Sequence, residues 1–200
     1  MQLLCTLPMC RKAGQMKKFR KILCSLDAPY IGDMMKLAET QSKETLGKWA
    51  ISYAESHFLP IYEGAFADDR PKIALASAKK WFRKEMKLPE VKTQIFACHA
   101  AAKEAEGNPA AQAAARAIAH ASAIAHTASH SLGAVVYGST ALAYHQLGIQ
   151  ETLEAYEEAI AQYCQNMTAA LQKIAVTDEA NPSKINWAPM TSEKSLLRRG

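Results

Sequence analysis

His120, His126 and His130 fall within one alanine-rich stretch, with His99 upstream of it. On a helix, His126 and His130 lie one turn apart on the same face, a spacing that lets two imidazoles share a metal ion. No glutamate stands between them, so the pattern is not that of a zinc-protease helix. No carboxylate lies in the stretch to complete a site. Its Ser, Thr and Tyr residues offer hydrogen-bond partners instead, and buried polar groups need partners. The expectation is that His120, His126 and His130 face inward and tie the stretch to its neighbours, with no metal or other cofactor. Were an ion held, His126 and His130 would be its ligands.

A second constellation is Asp68-Asp69-Arg70-Pro71. Paired carboxylates can do acid–base work or bind a cation. They also cap a helix whose first turn contains a proline, with Arg70 pairing back. Capping is the expectation here. The third is the basic run Lys79, Lys80, Arg83, Lys84 and Lys87 with Trp81 and Phe82 interleaved. Such a face can meet phosphate, or it can simply be the wet side of an amphipathic helix with Trp81 mostly buried. The latter is expected. The chain has no phosphate-cradling glycine loop, no nucleophile elbow and no paired-cysteine motif. Its five cysteines have no framework spacing and are expected as reduced thiols, Cys98 and Cys164 packing as small apolar groups.

These residues need helices to position them. From Asn108 to Gln146 the chain is Ala-rich, opens with an N-cap and a first-turn proline, and after Arg116 carries no formal charge until Glu151. At 100° per residue, Ile124, Ala125, Ala128, Leu132, Val135, Val136 and Ala143 share a greasy face. Arg116, His120, Ala123, His126, His130, Ala134, Tyr137 and Tyr144 fall on the other. Both faces must be covered, which predicts a central helix over 109–146, or two helices broken near His130–Gly133. Four histidines and several hydroxyls argue against a membrane span.

Around that centre, Asp33 to His57 reads as the first long helix, with Leu37, Leu46, Trp49, Ala50, Tyr53 and Ala54 as its stripe. Leu59-Pro60 bends the chain. A helix follows Asp68-Asp69, with Ile73, Ala74, Ala78, Trp81 and Phe82 inward. Another opens at Pro89 and stops at Gly107. A terminal amphipathic helix starts after Ile149 with an acidic first turn, which suits the helix dipole. The fold class expected is all-α: a single compact multi-helix domain over 33–176, a basic N-terminal arm over 1–32 containing a short helix that ends at the Asp27–Pro29 turn, and a C-terminal tail over 177–200 that Trp187 could pin. The apolar-then-basic order of the arm is the reverse of a secretory signal.

Net charge is +5, but residues 1–21 hold +6 and residues 184–200 hold +3, which leaves −4 for residues 22–183. A basic pI therefore says little about the body, and nucleic acid is not an expected partner.

Taken together, KWAISYAESHFLPIYE, DDRPKIALASAKKWFRKE, ACHAAAKEA and AARAIAHASAIAHTASHSLGAVVYGSTAL resemble one family over roughly residues 45–147. The chain resembles the immunity-five-like helical immunity proteins linked to bacterial polymorphic toxin systems. The resemblance implies an all-helical cytosolic protein that neutralises a cognate toxin protein by binding it. It also implies a binding role for the motif positions Trp49, Asp68, Asp69, Arg70, Trp81, His99, Arg116, His120, His126 and His130. It names no catalytic residue. The competing expectation is a small-ligand binder or metal-dependent enzyme using the His120/His126/His130 face. Self-association is compatible with either.

Overall fold

The structure, a computed structural model, describes residues 19–191. Most of the expected basic N-terminal arm, residues 1–18, and the end of the expected C-terminal tail, residues 192–200, lie outside the described residues. Helices α1 (Pro29–Glu39), α2 (Lys43–Tyr53), α3 (Leu59–Glu63), α4 (Arg70–Phe82), α5 (Leu88–Glu104), α6 (Pro109–Ala123), α7 (His130–Leu147), α8 (Leu153–Gln172) and α9 (Ala188–Thr191) follow one another, with a π-helical stretch at Ala54–Phe58. No strand occurs among the described residues, and the fold is all-α.

Helix α6 is the hub. From Ala111 to Ala123 every residue but Arg116 is buried. It packs on α7 most extensively, then on α5, and also touches α2, α3, α4 and the π-helical stretch. Alanine makes this geometry accessible, because a methyl side chain lets several backbones approach one helix closely. Polar ties fix the register. The Gln112 amide donates to the Ala102 carbonyl at 3.0 Å, and the Cys98 thiol donates to the Ala115 carbonyl at 3.3 Å. Helix α7 sits behind α6 and reaches α8 as well. Glycine brings it close at Gly138, where an added Cβ would lie 2.2 Å from the Phe58 ring.

The central stretch is broken, and the break spans Ile124–Ser129, with His130 opening α7. It lies just before the His130–Gly133 region expected from the sequence. The link contains neither Gly nor Pro. Successive tight turns build it, including His126 N–H to Ala123 C=O, His130 N–H to Thr127 C=O and Leu132 N–H to Ser129 C=O.

Asp33–His57 is not one helix. It is α1 and α2, divided at Thr40–Ser42. Ser42 caps α2 by accepting from the Thr45 N–H at 3.1 Å. The divide is held from outside. The Ser42 N–H donates to the Glu179 carboxylate at 2.6 Å, and the Gln41 amide exchanges two hydrogen bonds with the Val176 backbone. The segment after α8 is thus tied to the α1–α2 turn, and the Trp187 indole adds a bond to Glu39 at 2.6 Å. Proline at position 60 lacks an N–H and would crowd the carbonyl four residues back. The chain answers by widening one turn: the Leu59 N–H donates to the Ala54 carbonyl, five residues back, and helical structure continues into α3.

Residues 19–28 are irregular rather than a short basic helix, and α1 begins at Pro29. The Leu23 N–H donates to Thr140 Oγ1 at 3.1 Å, the Tyr144 hydroxyl donates to the Arg20 carbonyl at 3.0 Å, and Cys24 is buried. None of the helices is long and apolar enough, among the described residues, to cross a membrane.

Candidate functional site

The structure gathers His99, Arg116, His120, His126 and His130 at the junction of α5, α6 and α7. His120 is 6% exposed, and its Nδ1 lies 2.9 Å from Nδ1 of His130. One of these nitrogens must donate and the other accept, so the contact requires at least one neutral ring. His99 meets His120 edge-on, with centroids 5.6 Å apart. Tyr137 stacks on His120 at 5.3 Å, and the Arg116 guanidinium lies over the same phenol ring at 5.8 Å. Arg116 and His120 are one turn apart on α6, which places them side by side. His126 completes the group, 4.9 Å from His130 between ring centroids.

Local sequence explains the arrangement. Gly133 stands opposite His120, and a Cβ there would lie 2.3 Å from His120 Nδ1. The missing side chain is the space the imidazole occupies. Tyr137, one turn further along α7, supplies the stacking surface. His126 is a correction to the expected helical pair. It lies in the α6–α7 link, not one turn before His130 on a common helix, and it is half-buried with Nδ1 2.6 Å from Thr127 Oγ1. His120 is inward as expected. His126 and His130 lie half-buried at the rim. Desolvation, then the charges of Lys92 and Lys43, pushes the His126 pKa below its ordinary value.

The pair expected to hold an ion, were one bound, is His126 and His130, and the two do not share a helix face because His126 lies in the link. Two nitrogens on a tetrahedral zinc sit about 3.4 Å apart, with the ion between them. The His120 and His130 nitrogens instead face each other directly. Among the described residues no three His, Cys, Asp or Glu side chains are placed to share an ion.

The site is short of acceptors at one point. Arg116 Nε is buried and has no hydrogen-bond partner, and Arg116 joins no ion pair among the described residues. On α6 and α7 it is the sole formally charged residue.

Asp68 and Arg70 form a separate network 34 residues from its far partner, Glu104. Asp68 accepts from the Arg70 amide at 3.0 Å, from the Arg70 guanidinium at 2.7–3.0 Å and from the Tyr62 hydroxyl at 2.8 Å. Arg70 also holds Glu104 at the end of α5. The Arg70 guanidinium brings the Asp68 carboxyl down to about 2. Burial first, then the bond to Asp68, raises the Tyr62 phenol. Asp68 therefore does the capping expected of this block, whereas Asp69, at the N-cap position, makes no capping bond.

The two tryptophans part company. Trp49 is buried, and its indole N–H donates to the Met167 carbonyl at 3.0 Å, which bolts α2 to α8. Trp81 packs against the core with most of its surface covered, as expected, and the Lys43 ammonium lies 5.7 Å above its ring. Lys80, Arg83, Lys84 and Lys87 are exposed, but Lys79 is half-buried and paired with Glu55 at 2.6 Å. Lys84 and Lys87 lie beyond the end of α4, and Lys84 takes a left-handed φ of 63°. Ile73, expected inward, is exposed.

Sequence reasoning placed Tyr137 on the histidine stripe without assigning it to the site. It missed Gly133, Lys43 and Lys92. A glycine on the imidazole-bearing face was the available signal for Gly133. No local pattern marks the two lysines, which arrive from other helices.

Comparison with known proteins gives one family. No curated protein and no solved structure matches the chain. The family model described as "Imm-5 like putative immunity protein" matches residues 36–170. That span takes in α2 to α7 with the whole histidine cluster, the Asp68–Arg70 network and nearly all of α8. The chain therefore belongs to the Imm-5-like immunity protein family.

Proposed function

We propose that this protein binds a cognate bacterial toxin protein in the cytoplasm and neutralises it without turnover. Family membership over residues 36–170 carries this reading. The chemistry of the candidate residues supports it. Asp68, the best-placed carboxylate for acid–base work, already accepts from Tyr62 and Arg70 and is locked as a structural acceptor. The histidines pack on one another and on Tyr137, with ring centroids 4.9–5.6 Å apart. Cys24, Cys98 and Cys164 are free and buried, which suits a reducing compartment. The half-buried rim of imidazoles with Arg116 is the kind of surface that recognises a partner, since arginine and aromatic rings dominate binding hot spots.

Co-expression with the toxin-like product of a neighbouring reading frame tests this. Cells should survive toxin induction only when this chain is present, and the two proteins should co-purify. Survival without any stable complex would contradict binding as the mechanism.

A further inference from the structure

We propose that the Arg116–histidine cluster is a receptor for a carboxylate, presented in the neutralised complex by an aspartate or glutamate side chain of the toxin. The inference rests on the toxin-binding reading and adds the chemistry of recognition.

Arg116 supplies the first reason. A guanidinium is always charged and offers five donors in a planar fork that matches a carboxylate. Inside proteins such groups are paired, because a buried donor without an acceptor has lost its hydrogen bonds to water and gained none in return. Arg70 shows the ordinary solution in this same molecule, held by Asp68 and Glu104. Among the described residues Arg116 has no such acid. Its Nε is buried without an acceptor, while the residue as a whole is only half-buried. A guanidinium that is only partly buried and lacks an acid leaves the rest of its fork to pair with a partner's carboxylate.

The surroundings supply the second reason. Helices α6 and α7 contain no Asp or Glu. The charges that reach His126 are those of Lys92 and Lys43, both positive. An incoming carboxylate is therefore attracted by Arg116, Lys92 and Lys43 and meets no acid on the two central helices. The Tyr137 ring lies 5.8 Å from the guanidinium, within cation–π range.

The third reason lies on α5. Phe96 is 70% exposed, one turn from His99 on one side and one turn from Lys92 on the other. An apolar ring standing in water beside a cationic cluster gives a protein partner a place to bury surface next to the charged contact. A free small carboxylate has no use for it. That favours a side chain of a protein over a metabolite.

Two measurements test the proposal. In the first, acetate, phosphate and chloride are titrated at fixed ionic strength while the imidazole NMR signals are followed in wild type and R116Q. Acetate should shift the signals saturably in wild type and not in R116Q. A response no different from chloride overturns the site, and saturation by phosphate at much lower concentration than acetate overturns the carboxylate assignment. In the second, toxin affinity is measured by calorimetry. R116Q should weaken binding about tenfold or more, R116K less, and one Asp→Asn or Glu→Gln change in the toxin should give a loss that does not add to that of R116Q. Phe96→Ala touches an exposed ring and should weaken toxin binding without lowering the melting temperature, which keeps the test open if R116Q folds poorly. Equal toxin affinity of wild type, R116Q and Phe96→Ala overturns this inference and leaves toxin binding standing. A toxin that binds none of them, with the acetate response intact, instead overturns the toxin-binding reading and with it the toxin as the source of the carboxylate.

Discussion

An imidazole can both donate and accept only while neutral, so the 2.9 Å contact between His120 and His130 survives one shared charge but not two. Acid therefore works against the cluster. His126 pushes in the same direction. Its folded-state pKa lies below its ordinary value because of burial and the nearby Lys92 and Lys43. A lowered folded pKa means that the unfolded chain takes up more protons as pH drops below about 6.5. The stability it contributes is present above that pH and is lost as pH falls towards the folded pKa. The melting temperature should decline between roughly pH 7 and pH 5, and His126→Gln should make that decline shallower. A melting temperature that rises with acid over this window would contradict the burial of the cluster.

Gly133 is the other sharp test at this scale. A Cβ at 2.3 Å from His120 Nδ1 cannot be tolerated without moving the ring, and the ring is packed by Tyr137, His99 and His130. Gly133→Ala would gain helix propensity of about 1 kcal/mol, yet overpacking costs about 1–3 kcal/mol. The expected net result is loss of stability by denaturant unfolding, together with altered His120 signals. A more stable variant would show that the ring has room to spare.

At the scale of elements, caps and hydrogen-bond ladders decide. Ser42 accepts from Thr45 and starts α2. Ser42→Ala should cost about 1 kcal/mol, read as a lower denaturant midpoint at unchanged slope. No change would mean that Glu179, through its bonds to the Ser42 amide and Thr45 hydroxyl, holds the turn alone. This divide was poorly legible in the sequence. Ser42 is followed at the third position by Thr45 rather than Glu or Gln, so the usual capping box is missing. What breaks the helix is Glu179 and Val176, far along the chain. The opposite holds for α6. Asn108-Pro109 announces its start, and the long charge-free run announces its burial. Its end is silent, since Ile124–Ser129 contains no breaker, and this is why His126 was placed on a helix it does not join. The Asp68 block was legible because its chemistry is local. The link from Arg70 to Glu104 was not, because it spans two helices.

For the whole molecule, charge and cluster belong together. Residues 22–183 carry −4, yet the α5–α6–α7 junction presents Arg116, Lys92, Lys43 and a group of histidines with no acid on α6 or α7. A mildly acidic body with a local cationic rim does not suit the long phosphate track of a nucleic acid, which needs many cations in a line. It suits one or two acidic side chains of a protein. Membership of an immunity-protein family suggests a toxin partner, and the junction is the meeting place proposed for it. The most direct measurement is a titration of the toxin's own activity with the purified chain. Activity should fall in proportion to added protein, reach its floor at a fixed whole-number ratio, and return in full when the complex is dissociated by denaturant and the toxin is refolded alone. Inactivation by a small fraction of that ratio, with toxin that stays dead after separation, would mean chemical turnover and would contradict neutralisation by binding.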